Sequence, residues 1–325
     1  MRKPFVLALI VIQMAVTLFQ AEARKQLSSH TALSSSEQVF NEALFIKDVA
    51  ARFSNDDQFF YTLNADGQVN VYDSRHKLLR IVPCHTQSSD SIAVDSEGQI
   101  YIADSTMNQV KVLSPKGEVI KTISVDRPLS IAVLGNGKII ISSISNSSVL
   151  HLYDSSGQKI RSFGTIKQFA QDSEAQNRFL NRGKVLVDSS DTIYYVYKFA
   201  PTPIVRRFSK NGKMLSEFIV AGNAIDLQLN VAQEFLRNRS SKKVGGVSII
   251  NSAFIDPETN HLWIGMNGSS DSGVVYKYGP DGKKLQEYSF TVNSRTQSSK
   301  VITGVNQVMV RAPTIYFYVS RYISL

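Results

Sequence analysis

Short apolar runs alternate with polar turns along most of the chain. Residues 90–123 show this most clearly, with four apolar runs separated by three turns rich in Ser, Asp, Asn, Gly and Pro. Short runs rich in Val, Ile and Tyr that are bounded by such turns predict β-strands. Four of them joined by tight turns predict one antiparallel sheet, which is too small to be stable alone and should be one unit of a larger repeat.

The same pattern recurs along the chain. Complete copies cover residues 49–83, 90–123 and 129–164, two more end at Val220 and Phe290, and a sixth begins at Gln307. The sixth copy contains only three runs before the sequence ends. The chain is therefore predicted to consist of six related antiparallel sheets.

The second and third copies resemble NHL repeats, in which an apolar inner strand ends in Asp and a Gly turn leads to the next strand. Residues 92–95, Gly98, residues 101–104 and Asn108 carry this pattern, and Leu134 replaces the strand-end Asp in the third copy. The resemblance implies an all-β fold, a six-bladed β-propeller of the TolB-like superfamily with four-stranded antiparallel blades. WD repeats are disfavoured because no Gly-His and Trp-Asp pairs mark the copies.

The ends of the chain suggest how the ring closes. The sixth copy lacks a fourth strand, and residues 37–46 precede the first copy without a blade of their own. We expect this N-terminal strand to pair with residues 322–325 and close the last blade, which would remove an open sheet edge. Residues 37–325 would then form a single β-propeller domain.

Three insertions lie between the last strand of one copy and the first strand of the next, at residues 165–184, 221–250 and 291–304. In a propeller these connections share a face with the loops between second and third strands, so the insertions should decorate one rim of the channel. Residues 224–239 carry apolar side chains at helical spacing and predict one short helical insertion. Such loops often carry function, although a helix that only covers apolar surface is the alternative.

The N-terminus predicts export. Residues 1–23 combine a basic start, an apolar run and small residues at Ala21 and Ala23, as in a signal peptide cleaved after Ala23, and a polar, flexible leader follows at 24–36. The apolar run is short for a membrane span, so we expect a secreted or periplasmic monomer with no span after cleavage; an uncleaved anchor is the alternative. The single cysteine, Cys84, is expected to be a buried thiol.

Charge and position together suggest a binding site. The formal net charge is +9, or +8 without the predicted signal peptide, which suits an anionic partner, although solubility alone would also explain it. Aligning the starts of the inner strands predicts a polar ring at the channel mouth, formed by Asp48, Asp90, Arg127, Arg182, Asn251 and Asn306. Loops assigned to the same rim add Lys198, Lys242, Lys243 and Arg321. Strand-end capping and salt bridging, for example between Asp90 and Arg127, are the alternative.

These residues favour a binding module over an enzyme. Arginine presents paired donors that suit carboxylate or phosphate, so the expected partner is an anionic small molecule, a glycan or an envelope protein; export makes nucleic acid an unexpected partner. One alternative resembles the propeller lactonases, with Ca²⁺ or Mg²⁺ held by Asp90, Asn251 and Asn306. Another is a structural role in an envelope complex. The five histidines fall outside the aligned inner-strand positions, which disfavours a three-histidine zinc site.

We expect no firmly held divalent ion, because Arg127 and Arg182 would repel a cation at the channel mouth. Elemental analysis of the purified protein, combined with thermal melts with and without EDTA, measures this directly. A stoichiometric calcium, magnesium or zinc ion whose removal lowers the melting temperature would instead favour the metal-dependent hydrolase.

Overall fold

The computed structural model describes twelve stretches of the chain, namely residues 50–53, 59–63, 67–73, 77–84, 86, 91–145, 147–171, 173–238, 243–267, 272–291, 301–311 and 314–323. Within them, twenty strands form five four-stranded antiparallel sheets, and two further strands form a hairpin. Each four-stranded sheet is one blade of a β-propeller, and its strands follow chain order.

The first three blades match the first three sequence copies. The first blade contains β1 (Ala50–Phe53), β2 (Phe59–Leu63), β3 (Gln68–Asp73) and β4 (Leu78–Pro83). The second contains β5 (Ser91–Val94), β6 (Ile100–Asp104), β7 (Gln109–Leu113) and β8 (Val119–Ser124). The third contains β9 (Ser130–Val133), β10 (Ile139–Ser145), β11 (Ser148–Tyr153) and β12 (Lys159–Thr165).

The remaining described elements include two helices. The fourth blade follows helix α1 (Glu174–Leu180) and contains β13 (Gly183–Val187), β14 (Ile193–Tyr197), β15 (Ile204–Phe208) and β16 (Met214–Ile219). The fifth follows helix α2 (Asn223–Asn238) and contains β17 (Ser252–Ile255), β18 (Leu262–Asn267), β19 (Ser272–Tyr278) and β20 (Lys284–Thr291). The hairpin consists of β21 (Val301–Arg311) and β22 (Thr314–Ile323).

The position of a strand within its blade determines how its side chains are buried. Every side chain of β5 and β9 is buried, whereas β4 and β8 expose most of theirs. The first strand of a blade is therefore the inner one and the fourth is the outer one. Apolar side chains of consecutive blades pack together in four layers, each shared by two blades, and these layers form the hydrophobic core.

Glycines in the turns between third and fourth strands allow consecutive blades to approach closely. At Gly157, where φ is +90°, a Cβ atom would lie 2.8 Å from Cγ1 of Ile123 on the outer strand of the preceding blade. The same contact recurs in the second, fourth and fifth blades, between Gly117 and Val82, Gly212 and Phe163, and Gly282 and Phe218. A positive φ and a neighbour this close both favour glycine at these positions.

The prediction of six four-stranded blades is wrong, because the described residues form five, and the described part of the sixth copy forms the two-stranded β21–β22 hairpin. The two strands pair from Val301 and Ile323 to Arg311 and Thr314, so residues 322–323 continue β22 and do not start a separate strand. The run 314–323 contains no glycine or proline that would turn the chain. Strand β21 contacts β17 and β18 as well as β1, which places the hairpin between the fifth blade and the first.

Other predictions about the ends and insertions have mixed outcomes. The helix predicted at 224–239 is confirmed as α2, whereas α1 was not predicted. Part of the third predicted insertion, residues 301–304, belongs to β21. Residues 37–46, predicted to close the last blade, lie outside the described residues, as do residues 1–23 and the leader. Neither helix is long and apolar enough to cross a membrane, a finding confined to the described parts of the chain.

Replacing Gly157 by Ala should destabilise the propeller more than replacing Gly137 by Ala in the same blade. Both glycines have positive φ, but a Cβ at Gly137 would meet nothing closer than 3.8 Å. Gly137→Ala should therefore lower the free energy of unfolding by about 1–2 kcal/mol through backbone strain alone. Gly157→Ala should lower it by a further ~1–3 kcal/mol, because the new methyl group overpacks the contact between blades. Urea unfolding followed by circular dichroism measures both values.

The Ile123→Ala substitution tests the cause of that difference. If the methyl group clashes with Ile123, the Gly157→Ala change should cost less when Ile123 is already Ala, by about 1 kcal/mol or more. Equal costs in both backgrounds would show that the contact between blades does not explain the requirement for glycine.

Candidate functional site

Five of the ten predicted ligand-binding residues have described side chains: Arg127, Arg182, Lys198, Lys243 and Asn251. Asp48, Asp90 and Lys242 lie outside the described residues, and for Asn306 in β21 and Arg321 in β22 only the backbone strand is described. The convergence of the complete ring therefore stays a prediction.

Arg127 lies in the connection between the second and third blades. Its backbone N–H donates to Oδ1 of Asn108 (2.9 Å), and the N–H of Val125 donates to the Asn108 carbonyl (3.0 Å). The connection after β8 thus lies beside the β6–β7 turn, on the face that the sequence predicted. The Arg127 side chain is exposed, and no described contact joins it to Arg182.

Backbone hydrogen bonds bring three other predicted residues into one neighbourhood, beside the fourth and fifth blades. The N–H of Lys198, directly after β14, donates to the carbonyl of Arg182, directly before β13 (2.9 Å). The Lys198 carbonyl accepts from the N–H of Ile249 (2.9 Å), two residues before Asn251. The first two insertions and the β14–β15 loop therefore meet at Lys198.

Two cations lie over two aromatic rings at this meeting point. The Phe179 and Phe199 rings are in contact, with 4.7 Å between centroids. Cζ of Arg182 lies 5.6 Å from the Phe179 centroid, and Nζ of Lys198 lies 5.4 Å from the Phe199 centroid. Both are cation–π distances. We call these four residues the cation–aromatic cluster.

The two cations in this cluster repel each other. Desolvation by the surrounding protein lowers the pKa of Lys198, and the positive charge of Arg182 lowers it further. Solvent still reaches the Lys198 side chain, so the effect is moderated by screening. Within the described residues, neither cation forms an ion pair with a carboxylate. The charge of the cluster is therefore not neutralised by this part of the protein.

Two other basic residues, Lys167 and Arg206, do form ion pairs with a carboxylate. Glu217 accepts from Nζ of Lys167 (2.6 Å) and from Nε of Arg206 (2.8 Å). Burial raises the pKa of the Glu217 carboxyl, but the hydrogen bonds from Arg206 and Lys167 outweigh this and lower it overall. Lys167 and Arg206 thus share one carboxylate within the fold, whereas no carboxylate among the described residues pairs with the cations of the cluster.

Polar side chains of α1 hold the two insertions together. Nε2 of Gln176 donates to the Gly245 carbonyl (2.7 Å), and the Gly245 N–H donates to Oε1 of Gln176 (3.0 Å). A Cβ at Gly246 would lie 3.0 Å from Phe179, so the segment after α2 packs closely on the cluster. The buried Asn177 side chain accepts from the N–H of Phe169 (2.7 Å), which fixes the chain that leads into α1. The cluster is therefore supported on both sides.

Sequence reasoning did not identify Phe179, Phe199 or Gln176 as part of a site. A usable signal was present, because each aromatic residue lies close in sequence to a predicted basic residue, as Phe179 does to Arg182 and Phe199 to Lys198. Gln176 had no comparable signal, since its partner, Gly245, is distant in sequence.

The strand-end aspartates of the repeat pattern have a structural role. Oδ1 of Asp95 accepts from the N–H groups of Glu97 (3.0 Å) and Gln99 (2.9 Å), and Oδ2 accepts from the Tyr101 hydroxyl (2.9 Å). Asp188 makes the equivalent bonds in the fourth blade, to Ser190, Thr192 and Tyr194. These carboxylates stabilise turns between first and second strands.

In the described stretches, no three His, Cys, Asp or Glu side chains are grouped so that they could hold a metal ion. Of the oxygen ligands predicted for Ca²⁺ or Mg²⁺, only Asn251 has a described side chain, and it is half-buried. The alternative metal site therefore stays a prediction.

Comparison with known proteins supports the fold. No family model matches the chain, and no curated protein matches it. The β-propeller domain of Cps50 (Swd1) from Myceliophteria thermophila is similar in structure, with a TM-score of 0.54 and 11% sequence identity over 85% of this chain and 80% of that one. This protein therefore has the β-propeller fold, and the similarity shows the fold alone.

Two weaker similarities are a protein of unknown function from Bacteroides caccae and hydrazine synthase from Kuenenia stuttgartiensis. The first has a TM-score of 0.47 and 11% identity over 75% of this chain and 76% of that one. The second has a TM-score of 0.45 and 12% identity over 90% of this chain and 68% of that one.

Replacing Lys198 by Met should not destabilise the protein, because it removes a desolvated charge that Arg182 repels. We expect the free energy of unfolding at neutral pH to stay constant or to rise by about 0.5 kcal/mol. Lys167→Met is the matched control and should lower it by up to ~1 kcal/mol, because it breaks the ion pair with Glu217. Urea unfolding measures both values.

The effect of Lys198→Met should also depend on pH. The charged form of Lys198 is disfavoured in the folded state, so its destabilising effect is fully present below the lowered pKa of Lys198. This effect declines as the pH rises toward 10.5, the ordinary value for lysine. A Lys198→Met variant that is less stable than the wild type at neutral pH would contradict the repulsion.

Proposed function

We propose that this protein is an exported β-propeller binding module whose anionic ligand binds at the cation–aromatic cluster. The observation that carries the proposal is the pair of adjacent cations, Arg182 and Lys198, which have no carboxylate partner among the described residues. The N-terminal signal-like segment supports export, and the NHL-like pattern of the second and third copies supports a binding role for the propeller.

An anion would relieve the repulsion within the cluster. The guanidinium of Arg182 offers paired donors to a carboxylate or phosphate, and the ammonium of Lys198 supplies a second positive charge. A bound anion would favour the charged form of Lys198 and so raise its pKa. The positive net charge of the chain would also attract such a ligand at long range.

The same charges disfavour the metal-dependent hydrolase. That alternative needs Asn251 to join Asp90 and Asn306 around a divalent cation. Asn251 follows Ile249 and Ile250, whose N–H groups bond to the carbonyl of Lys198 (2.9 and 3.3 Å), so its backbone lies beside the backbone of Lys198, one of the two cationic residues. A bound cation there would be repelled.

The Arg182→Ala/Lys198→Ala double variant should bind anionic ligands at least about tenfold more weakly than the wild type. Loss of two charge-assisted hydrogen bonds is enough for an effect of this size. A screen of acidic oligosaccharides, carboxylates and phosphates by calorimetry at low and high salt tests this, and wild-type binding should weaken as salt rises.

The matched control is Lys116→Ala/Lys210→Ala. These exposed lysines lie in the β7–β8 and β15–β16 turns, on the opposite face, and their removal changes the net charge equally. Equal weakening by both double variants would mean that only overall charge matters and would overturn the proposed site.

A further inference from the structure

Helix α2 carries a second apolar stripe in addition to the one that packs on the propeller. Ile225 and Ala232 are buried in the core layer shared by the fourth and fifth blades, and Leu229 packs against it. Val231 and Phe235 lie roughly 90° around the helix and are 45% and 42% exposed. A helix that only covered the core would need the first stripe alone.

The exposed stripe continues onto the segment that follows α2. A Cβ at Gly245 would lie 3.6 Å from Cζ of Phe235, so this ring lies against the backbone of the segment. Val244, the preceding residue, is 50% exposed. We call Val231, Phe235 and Val244 the apolar patch.

The apolar patch is connected to the cation–aromatic cluster by two consecutive glycines. Gly245 contacts Phe235 of the patch, and Gly246 contacts Phe179 of the cluster. Gln176 holds this glycine segment in place through both of its hydrogen bonds to Gly245. One ligand could therefore touch exposed apolar side chains and uncompensated cations on a surface that is already ordered.

The presence of both the apolar patch and the cation–aromatic cluster on one surface favours one class of ligand over others. A simple anion or an acidic sugar would use the cations and leave the aliphatic side chains of Val231 and Val244 exposed to water. A nucleic acid would use cations and rings, but it also has no group that suits this aliphatic surface. A polypeptide with acidic and bulky apolar side chains would contact both the cation–aromatic cluster and the apolar patch. Exposed apolar patches beside polar groups are typical of protein interfaces.

We infer that the ligand is a polypeptide segment that places Asp or Glu carboxylates on Arg182 and Lys198 and a bulky apolar side chain on the apolar patch. This inference rests on the proposed function and specifies its ligand. The carboxylates would supply the salt-dependent part of the affinity, and the apolar side chain would supply a part that persists at high salt.

Short synthetic peptides test this on the full-length protein by fluorescence anisotropy. The first set combines Asp-Glu and Phe-Leu pairs at varied spacing in a Gly-Ser background; a second replaces Phe-Leu by Ser, and a third replaces Asp-Glu by Lys. A peptide of the first set should bind at least about tenfold more tightly than its counterparts in the other two. A peptide of the second set, or an acidic oligosaccharide, that binds as tightly as the first set would overturn the inference.

Two double variants separate the contribution of the apolar patch to peptide binding from that of the two cations. Val231→Ser/Phe235→Ser should weaken binding of the first peptide set at least about fivefold while the salt dependence is retained. Arg182→Ala/Lys198→Ala should remove most of the salt dependence. Met214→Ser/Ile219→Ser is the matched control, since it removes two apolar side chains that are even more exposed from the outer strand β16, and it should leave binding unchanged. Thermal melts confirm that each variant is folded.

The outcomes distinguish the inference from the proposed function. If the patch variant binds the peptides as the wild type does while the charge variant does not, the ligand is a simple anion and the peptide inference fails. If the charge variant binds every anionic probe as the wild type does, both fail.

Discussion

The propeller depends on the close approach of consecutive blades at one repeated contact. In four successive pairs of blades, a turn glycine lies against an apolar side chain on the outer strand of the preceding blade, as Gly157 does against Ile123. In the first blade, the sequence between β3 and β4 includes no glycine at residues 74–76. That blade follows the β21–β22 hairpin, which supplies two strands where a blade supplies four. Each of the four glycine contacts in the described residues thus joins a turn to the outer strand of the preceding blade.

A rigid ring allows the connections between its blades to be elaborated. The two long connections around the fourth blade contain α1 and α2, and Gln176 joins them through Gly245. Buried amide side chains such as Asn177 satisfy backbone groups that strands would otherwise pair. The helices therefore form an ordered surface on one face, where long loops would otherwise be expected to move.

This surface retains features that do not serve stability. Lys198 and Arg182 repel each other, and among the described residues no carboxylate pairs with them as Glu217 pairs with Lys167 and Arg206. Val231 and Phe235 remain exposed on a helix whose other stripe is already buried. Uncompensated charge and exposed apolar surface both have a cost in the isolated protein, and a ligand that contacts both would remove that cost.

The sequence by itself determined the strands of five blades and the helix α2, because these elements follow from local alternation of apolar and polar residues. It did not determine the number of blades: Arg321 was assigned to a loop between two strands, yet β22 runs through it because β21 pairs with it there, at Thr303. The seven-residue helix α1 was also missed, since its buried face includes Gln176 and Asn177, whose partners come from other segments. The cluster of Phe179, Arg182, Lys198 and Phe199 forms where two connections meet. Only the tertiary structure brought these two connections together, because contacts between segments distant in sequence depend on how the blades pack and not on the local sequence pattern.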